Sequence, residues 1–544
     1  MKELRYLVLT STFVLGTTYS SLVLALNNAR KLDKPVRDVF RQNTTAHFVF
    51  STVSGLLQHW PNTIYRNGHT FVPATIPRGT LLHHVRGERH PPPSPEYFAF
   101  DFDHSYIFSD APTFVYTYSA ARDLPVGYFD GTGASEHEGP RDLQDIMFND
   151  RFIPPAEYNP WVHAESMCVW AKPLGLVGIV RMEPSFEAIL CDINSDLDLV
   201  SEAELVSPEM PFRTRNPQNP HAPDSNRSIS NPRQIQLGAS EHTPIFPGPT
   251  IPAHPPPPGW VGKQRTIPDV VFEAVRAGMW HNHSPGEIRV LLDYSGIISA
   301  YDEEYKSLVH GRRGLPRPEH RLRSISLEDR ERIRREAHSV LTRAPRATKI
   351  NWQPIFQSVL DRYGARLEDL NHTLHQELDP VKVVATVRQK LLIILSPHMV
   401  LPQVKGRKKL AGKSSEPDND WFERIYEACG SHPTSGILDR SALTKQERLL
   451  ASSIDVVQGE ICATLTRIWR SAFDSEDRAV FAGKMVLDWR IEVRELMKWL
   501  DWHIWVKCDP PCKPGLLCVL TTWPWEVLTG REEVVPTCRN YIPL

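Results

Sequence analysis

The chain has 544 residues, about three times the size of one typical domain, so it can bury one large core or several smaller ones. Apolar residues at 41% and charged residues at 23% match globular averages and exclude disorder throughout. Lys plus Arg (62) nearly balances Asp plus Glu (64), leaving a net charge of -2, so no global field attracts nucleic acid and none is expected as a partner.

Lys2 and Arg5 precede an uncharged run from Tyr6 to Leu26, which Asn27, Asn28, Arg30 and Lys31 close. The run is just long enough to cross a bilayer as a helix, while Val23 and Ala25 have the small-residue spacing of a signal-peptidase site. Residues 1–26 therefore read as a signal anchor or a signal peptide. The basic residues after the run outnumber those before it and favour a cytosolic C-terminus, but cysteines and sequons argue the other way. The expectation is a single-pass protein attached to the membrane through its N-terminal segment, with the body lumenal or extracellular. Secretion is the alternative.

Residues 27–206 read as an α+β domain. Phe48, Val49, Val53, Leu56, Leu57 and Trp60 have helical spacing, and short apolar runs bounded by Pro, Gly or Asp follow as strands: 79–85, 97–102, 113–119, 126–130, 175–182 and 186–191. Residues 207–262 are rich in Pro, Asn and Ser and end in Pro255 to Pro258, as a linker or exposed loop does. Residues 263–401 hold a strand return near Ile288 to Tyr294, then helices. Ser326 and Asp329 have capping-box spacing, and Trp352, Phe356, Val359, Tyr363, Leu367, Leu370 and Leu374 share one face. A basic linker, 402–419, precedes a helical block, 420–505, where Thr444 and Glu447 form a second capping box. Residues 506–544 are a Cys/Trp-rich tail. The fold class expected is α+β: an N-terminal anchor, a mixed α/β domain, a C-terminal helical domain and a small disulfide-rich tail.

The cysteines number eight: Cys168, Cys191, Cys429, Cys462, Cys508, Cys512, Cys518 and Cys538. In a lumenal chain they read as four disulfides, with pairing inside each block the economical arrangement and the connectivity left open. No metal site is expected. Cys508 and Cys512 lack a second closely spaced pair, and His281 and His283, flanking Asn282, read as a loop. Sequons at Asn43, Asn226, Asn282 and Asn371 suit a glycoprotein.

Four resemblances attach to particular strings. WHIWVKCDPPC, with Trp499 just ahead of it, is similar to the opening of a thrombospondin type 1 repeat, which implies a protein partner at the Trp/Cys tail. TLLHH with His83 and His84, YFAFDFDHSY with Tyr106, and SFEAILCD with Glu187 resemble, in that order, the His, Tyr, Glu motifs of ADP-ribosyltransferases. That resemblance implies NAD as substrate, His84 on the ribose, Tyr106 stacked on the nicotinamide and Glu187 catalytic, with His83 not separable from His84. Asp101 and Asp103 form the Asp-x-Asp that resembles the metal and nucleotide-sugar motif of Golgi glycosyltransferases, and Asp196 with Asp198 repeats it. Taken whole, TLLHH, PSPEYFAFD, RMEPSFEAILCD and WVKCDPPC resemble a group of uncharacterised ascomycete proteins with one N-terminal transmembrane segment. The functional expectation is a membrane-anchored or secreted glycoprotein without catalysis and without a cofactor. The alternative is an NAD-cleaving enzyme using His84, Tyr106 and Glu187, and a type II glycosyltransferase stands third.

Overall fold

The computed structural model describes residues 44–107, 113–205, 267–343, 348, 350–399, 420–437, 439–474, 478–522 and 533–540. Chain packing divides into two units. One comprises Met1–Ser54, Tyr301–Val309 and Pro345–Trp505; the other comprises Gly55–Ala300, His310–Ala344 and Val506–Leu544.

The second unit is built on a mixed sheet of ten strands. They are β1 (Thr70–Ile76), β2 (Leu81–Arg86), β3 (Glu96–Ala99), β4 (Thr113–Ala120), β5 (Leu124–Phe129), β6 (Gly178–Met182), β7 (Phe186–Leu190), β8 (Leu197–Leu205), β9 (Leu291–Leu292) and β10 (Ile298–Ser299). Their order is β10-β1-β5-β6-β7-β3-β2-β4-β8, and β9 also pairs with β1, so the late segment does return to the first sheet. Only the β5–β6 pair is parallel among these pairings, and its crossover carries the helices Asp142–Phe148 and Pro160–Ala171, as a parallel connection must. Strands β6 and β7 are buried along their whole length, which explains their nearly continuous apolar runs.

Two strands lack the expected pattern. Pro73 sits inside β1 and cannot donate to a ladder, yet its carbonyl accepts from the Asp293 amide at 2.7 Å. Strand β8 carries Asp198, Glu202 and Glu204 as a charged edge strand, which protects an open sheet edge. The helix expected through Trp60 stops at Ser54, and a new one runs from His59 to Ile64. Leu57 lies between them with a left-handed φ of 58°, its amide donating to the Tyr128 hydroxyl at 3.1 Å.

A hairpin of β11 (Leu516–Thr521) and β12 (Glu533–Asn540) belongs to the same unit. Cys518 and Cys538 face each other in its register but bond elsewhere, as Cys508–Cys518 and Cys512–Cys538. Cys168–Cys191 ties helix Pro160–Ala171 to the end of β7, so pairing does fall within blocks.

The first unit is helical: Ala46–Ser54, Trp352–His375, Pro380–Leu395, Asp420–Ser431, Lys445–Asp474 and Arg478–Leu500. The seven-residue stripe from Trp352 to Leu374 is buried as expected. Cys429–Cys462 joins two of these helices. Trp502 and Trp505 stack at 5.2 Å within this unit, and the Trp505 indole donates to the Gly364 carbonyl at 3.1 Å. The tryptophans thus serve a helical core rather than the disulfide hairpin that follows them.

One expectation needs correction. Among the described residues, no helix is long and apolar enough to cross a membrane, so the single-pass placement and the membrane as a partner are overturned. The run from Tyr6 to Leu26 itself lies outside the described residues, as do Asn43, Asn226, the Pro-rich stretch 207–262 and the basic linker 402–419.

Candidate functional site

Sheet register decides which candidate residues can meet. Directly paired residues share a face, and neighbours along a strand do not. His83 lies opposite Ala99, Ala99 opposite Glu187, and Glu187 opposite Arg181, so His83, Glu187 and Arg181 occupy one face of the sheet. His84 is on the other face, with the Phe98 ring 5.7 Å away and the Glu96 carboxylate 3.8 Å from its Nε2. Tyr106 ends the short helix Phe102–Tyr106 and stacks on Phe102. The structure therefore does not bring His84 and Glu187 together.

His84 and Glu96 are not a full ion pair at neutral pH. Burial lowers the imidazole to about 4 and raises the carboxyl to about 7, so the histidine is neutral where the contact looks ionic. Glu187 is matched instead by the buried Arg181, whose Nε donates to it at 2.9 Å. The other end of that guanidinium is held by the Gly133 carbonyl, at 3.3 Å, and by Gln144, at 3.4 Å. His163 lies 2.9 Å from the same Gln144, and burial keeps it neutral, well below its usual range. A carboxylate locked to a buried guanidinium has its charge already balanced.

A second cluster gathers residues that the sequence left apart. Asp101, which begins the Asp-x-Asp triplet, caps the turn after β3. His281, the buried last residue of the short turn Gly278–His281, places Nε2 at 3.1 Å from the Asp101 carboxylate. Ser185 donates to the same carboxylate oxygen at 3.2 Å and lies 3.4 Å from the same His281 nitrogen. This trio is not a relay, because serine and aspartate compete for one imidazole nitrogen instead of occupying both. Arg289 donates to the other Asp101 oxygen at 2.8 Å and to Glu287 at 2.7 Å. Burial pushes Asp101 up, but the hydrogen bond to His281 and the Arg289 charge outweigh it and hold the carboxyl well below the usual range.

Asp101, His281 and Glu287 offer ligand atoms within 4.8 Å of one another, so they could hold a metal. The Arg289 guanidinium already supplies positive charge between the two carboxylates, and this donor set does not fit a cation without displacing it. The later triplet is structural: Asp196 is buried against Arg122 at 2.6 Å, and Asp198 pairs with Ser119 in the sheet. Sequence reasoning missed Ser185, Glu287 and Arg289 and set His281 aside. Only a long-range fold brings them to Asp101, and no local spacing signals it.

Among the described residues the unit also holds a small cleft of about 30 Å³. It lies among helix His59–Ile64, the loop at Thr132, the β6–β7 turn, the turn ending at Asn282, and β11.

Comparison with known proteins finds a family likeness in the N-terminal part of the chain. The family described as the YPL277C N-terminal domain matches residues 24–138 and 110–219. The uncharacterised protein YOR389W of Saccharomyces cerevisiae is 30% identical over 224 residues, covering 32% of this chain and 35% of that protein. The uncharacterised yeast protein YPL277C is 29% identical over 225 residues, covering 32% of this chain and 45% of its own length. The chain thus spans less than half the length of either relative. These matches support the expected likeness to uncharacterised ascomycete proteins and lend nothing to the ADP-ribosyltransferase resemblance. No solved structure matches.

Proposed function

We propose that the chain is a disulfide-stapled protein matured in an oxidising compartment and secreted, whose sheet unit binds rather than catalyses. The observation that carries this reading is cysteine use: all eight cysteines pair into four disulfides, as in proteins of the secretory pathway. The binding side of the proposal is supported by the two buried charge clusters. In each, the carboxylate with the best position for chemistry, Glu187 or Asp101, is held by an arginine. A general base or nucleophile needs a lone pair free for substrate, and these are engaged.

Mass mapping of protein purified from its own host, alkylated before and after reduction, tests the compartment. Four disulfides and no label before reduction are expected, and labelled cysteines in native protein would refute it. Nicotinamide release from NAD tests the binding side. The expected result is none above background for the purified oxidised chain, and release abolished by Glu187→Gln would instead make Glu187 catalytic.

A further inference from the structure

The cysteines that face each other across the tail hairpin are bonded to other residues. Cys518 and Cys538 are direct partners in the β11–β12 register, yet Cys518 is joined to Cys508 and Cys538 to Cys512. Directly opposed residues of an antiparallel pair have Cα atoms about 4.5–5.5 Å apart, inside the range of about 4.4–6.8 Å that a disulfide spans. The register therefore permits a Cys518–Cys538 bridge without moving the strands.

The other two cysteines are also within reach of each other. The sulfurs of Cys508, Cys512 and Cys538 all lie within 4.8 Å of one another, although Cys508 belongs to one bridge and Cys512 and Cys538 to the other. All four residues are half-buried, so a small molecule can reach them. The Cys508 amide donates to the Cys518 sulfur at 3.1 Å, and such a bond strengthens when the sulfur carries negative charge, which makes Cys518 the better leaving end of its bridge. The remaining bridges, Cys168–Cys191 and Cys429–Cys462, are buried.

We propose that the tail is a thiol–disulfide exchange site whose substrate is a low-molecular-weight thiol, which moves the hairpin between two sets of bridges. The thiolate of the small thiol attacks the Cys508 sulfur, forming a mixed disulfide there and releasing the Cys518 thiolate. Cys518 attacks the Cys538 sulfur opposite it and releases the Cys512 thiolate. Cys512 then attacks Cys508 and expels the small thiol as its thiolate. Each step forms one S–S bond and breaks one, so nothing is oxidised or reduced overall and the bridges become Cys508–Cys512 and Cys518–Cys538. The native set fastens segment 508–512 to both strands, whereas the exchanged set closes the strands on each other and detaches that segment from them. The proposal rests on the fully paired cysteines of the secretory reading.

The test incubates the full oxidised chain with millimolar glutathione, alkylates it and maps the bridges in chymotryptic peptides, since cleavage after Leu516 and Leu517 separates Cys508 and Cys512 from Cys518. A peptide pair joined by Cys518–Cys538 is expected to accumulate, about tenfold faster when glutathione is raised tenfold, because the thiol enters in the first step and leaves in the last. Cys168–Cys191 and Cys429–Cys462 are expected to keep their pairing. Cys508→Ser frees the Cys518 thiol without any added reagent, and the alkyl label is expected on Cys512. Native bridges alone after incubation, mixed disulfides without a Cys518–Cys538 bond, equal rearrangement of the buried bridges, or label on Cys518 in Cys508→Ser would overturn the exchange site and leave the secretory reading standing. Free thiols in the untreated chain would overturn both. Should Cys508→Ser fail to fold by circular dichroism, the incubated native chain decides.

Discussion

Removing one charge from a buried pair leaves the other without compensation, and Arg181 is such a partner. Its side chain is 3% exposed and that of Glu187 11%. Glu187→Gln keeps the shape but strands the guanidinium, and a loss of about 3 kcal/mol is expected from urea unfolding. A change below about 1 kcal/mol would show that Gly133 and Gln144 alone satisfy Arg181. Asparagines at two described sequons give a second residue-scale prediction. Asn282 Oδ1 and Asn371 Oδ1 are both buried, Asn282 beside His59 and Asn371 within helix Trp352–His375. Peptide mapping with and without endoglycosidase is expected to find no glycan at either position, and an occupied Asn371 would contradict its packing. Glu187 was singled out in the sequence only through the resemblance of SFEAILCD to an ADP-ribosyltransferase motif. Its partner was not. Which histidine shares its face depends on the register of β2, β3 and β7, and no interval along the chain encodes that.

Local spacing was most reliable where the interaction itself is local. The Thr444 amide donates to Glu447 at 2.9 Å and the Glu447 amide to the Thr444 hydroxyl at 3.1 Å, the reciprocal pair expected from the sequence. Ser326 likewise accepts from the Asp329 amide at 3.1 Å. The same Glu447 also accepts from the Trp352 indole at 3.2 Å and from the Thr348 hydroxyl, contacts that only the folded helical unit creates. Thr444→Ala removes one cap bond and is expected to cost about 1 kcal/mol. Glu447→Ala removes a cap bond and leaves a buried indole N–H unsatisfied, so about 2–3 kcal/mol is expected. Equal losses in denaturant titrations would mean that Trp352 contributes nothing to Glu447. By contrast, β1 and β8 escaped the sequence reading because Pro73 and the acidic edge mask strand character. Both become strands because neighbours distant in the chain pair with them, β5 with the first and β4 with the second.

At the scale of the molecule, buried titratable groups couple the stability of the sheet unit to pH in two opposite senses. Burial lowers His59 to about 3 and His84 and His320 to about 4, and drives His69 and His163 well below their usual range. As pH falls below about 6.5 the unfolded chain takes protons at these positions that the folded chain refuses, so stability falls until the folded values are reached. Glu96 and Asp130 act oppositely, since burial raises both to about 7. Between about pH 7 and 4.5 the folded chain holds protons there that the unfolded chain has released, so acidification stabilises through them. His83, His104 and His283 are lowered by burial as well, and Asp145 and Asp196 raised, so lowered histidines outnumber raised carboxyls in this unit, and a net excess of even one proton corresponds to about 1.4 kcal/mol for each pH unit. Urea midpoints of the oxidised chain are therefore expected to be lower at pH 5 than at pH 7. Glu96→Gln removes a stabilising response to acid, so its midpoint should fall more steeply over the same interval than that of the native chain. A midpoint that rises toward pH 5 would mean that the carboxyls dominate and that the histidines accept protons within the fold.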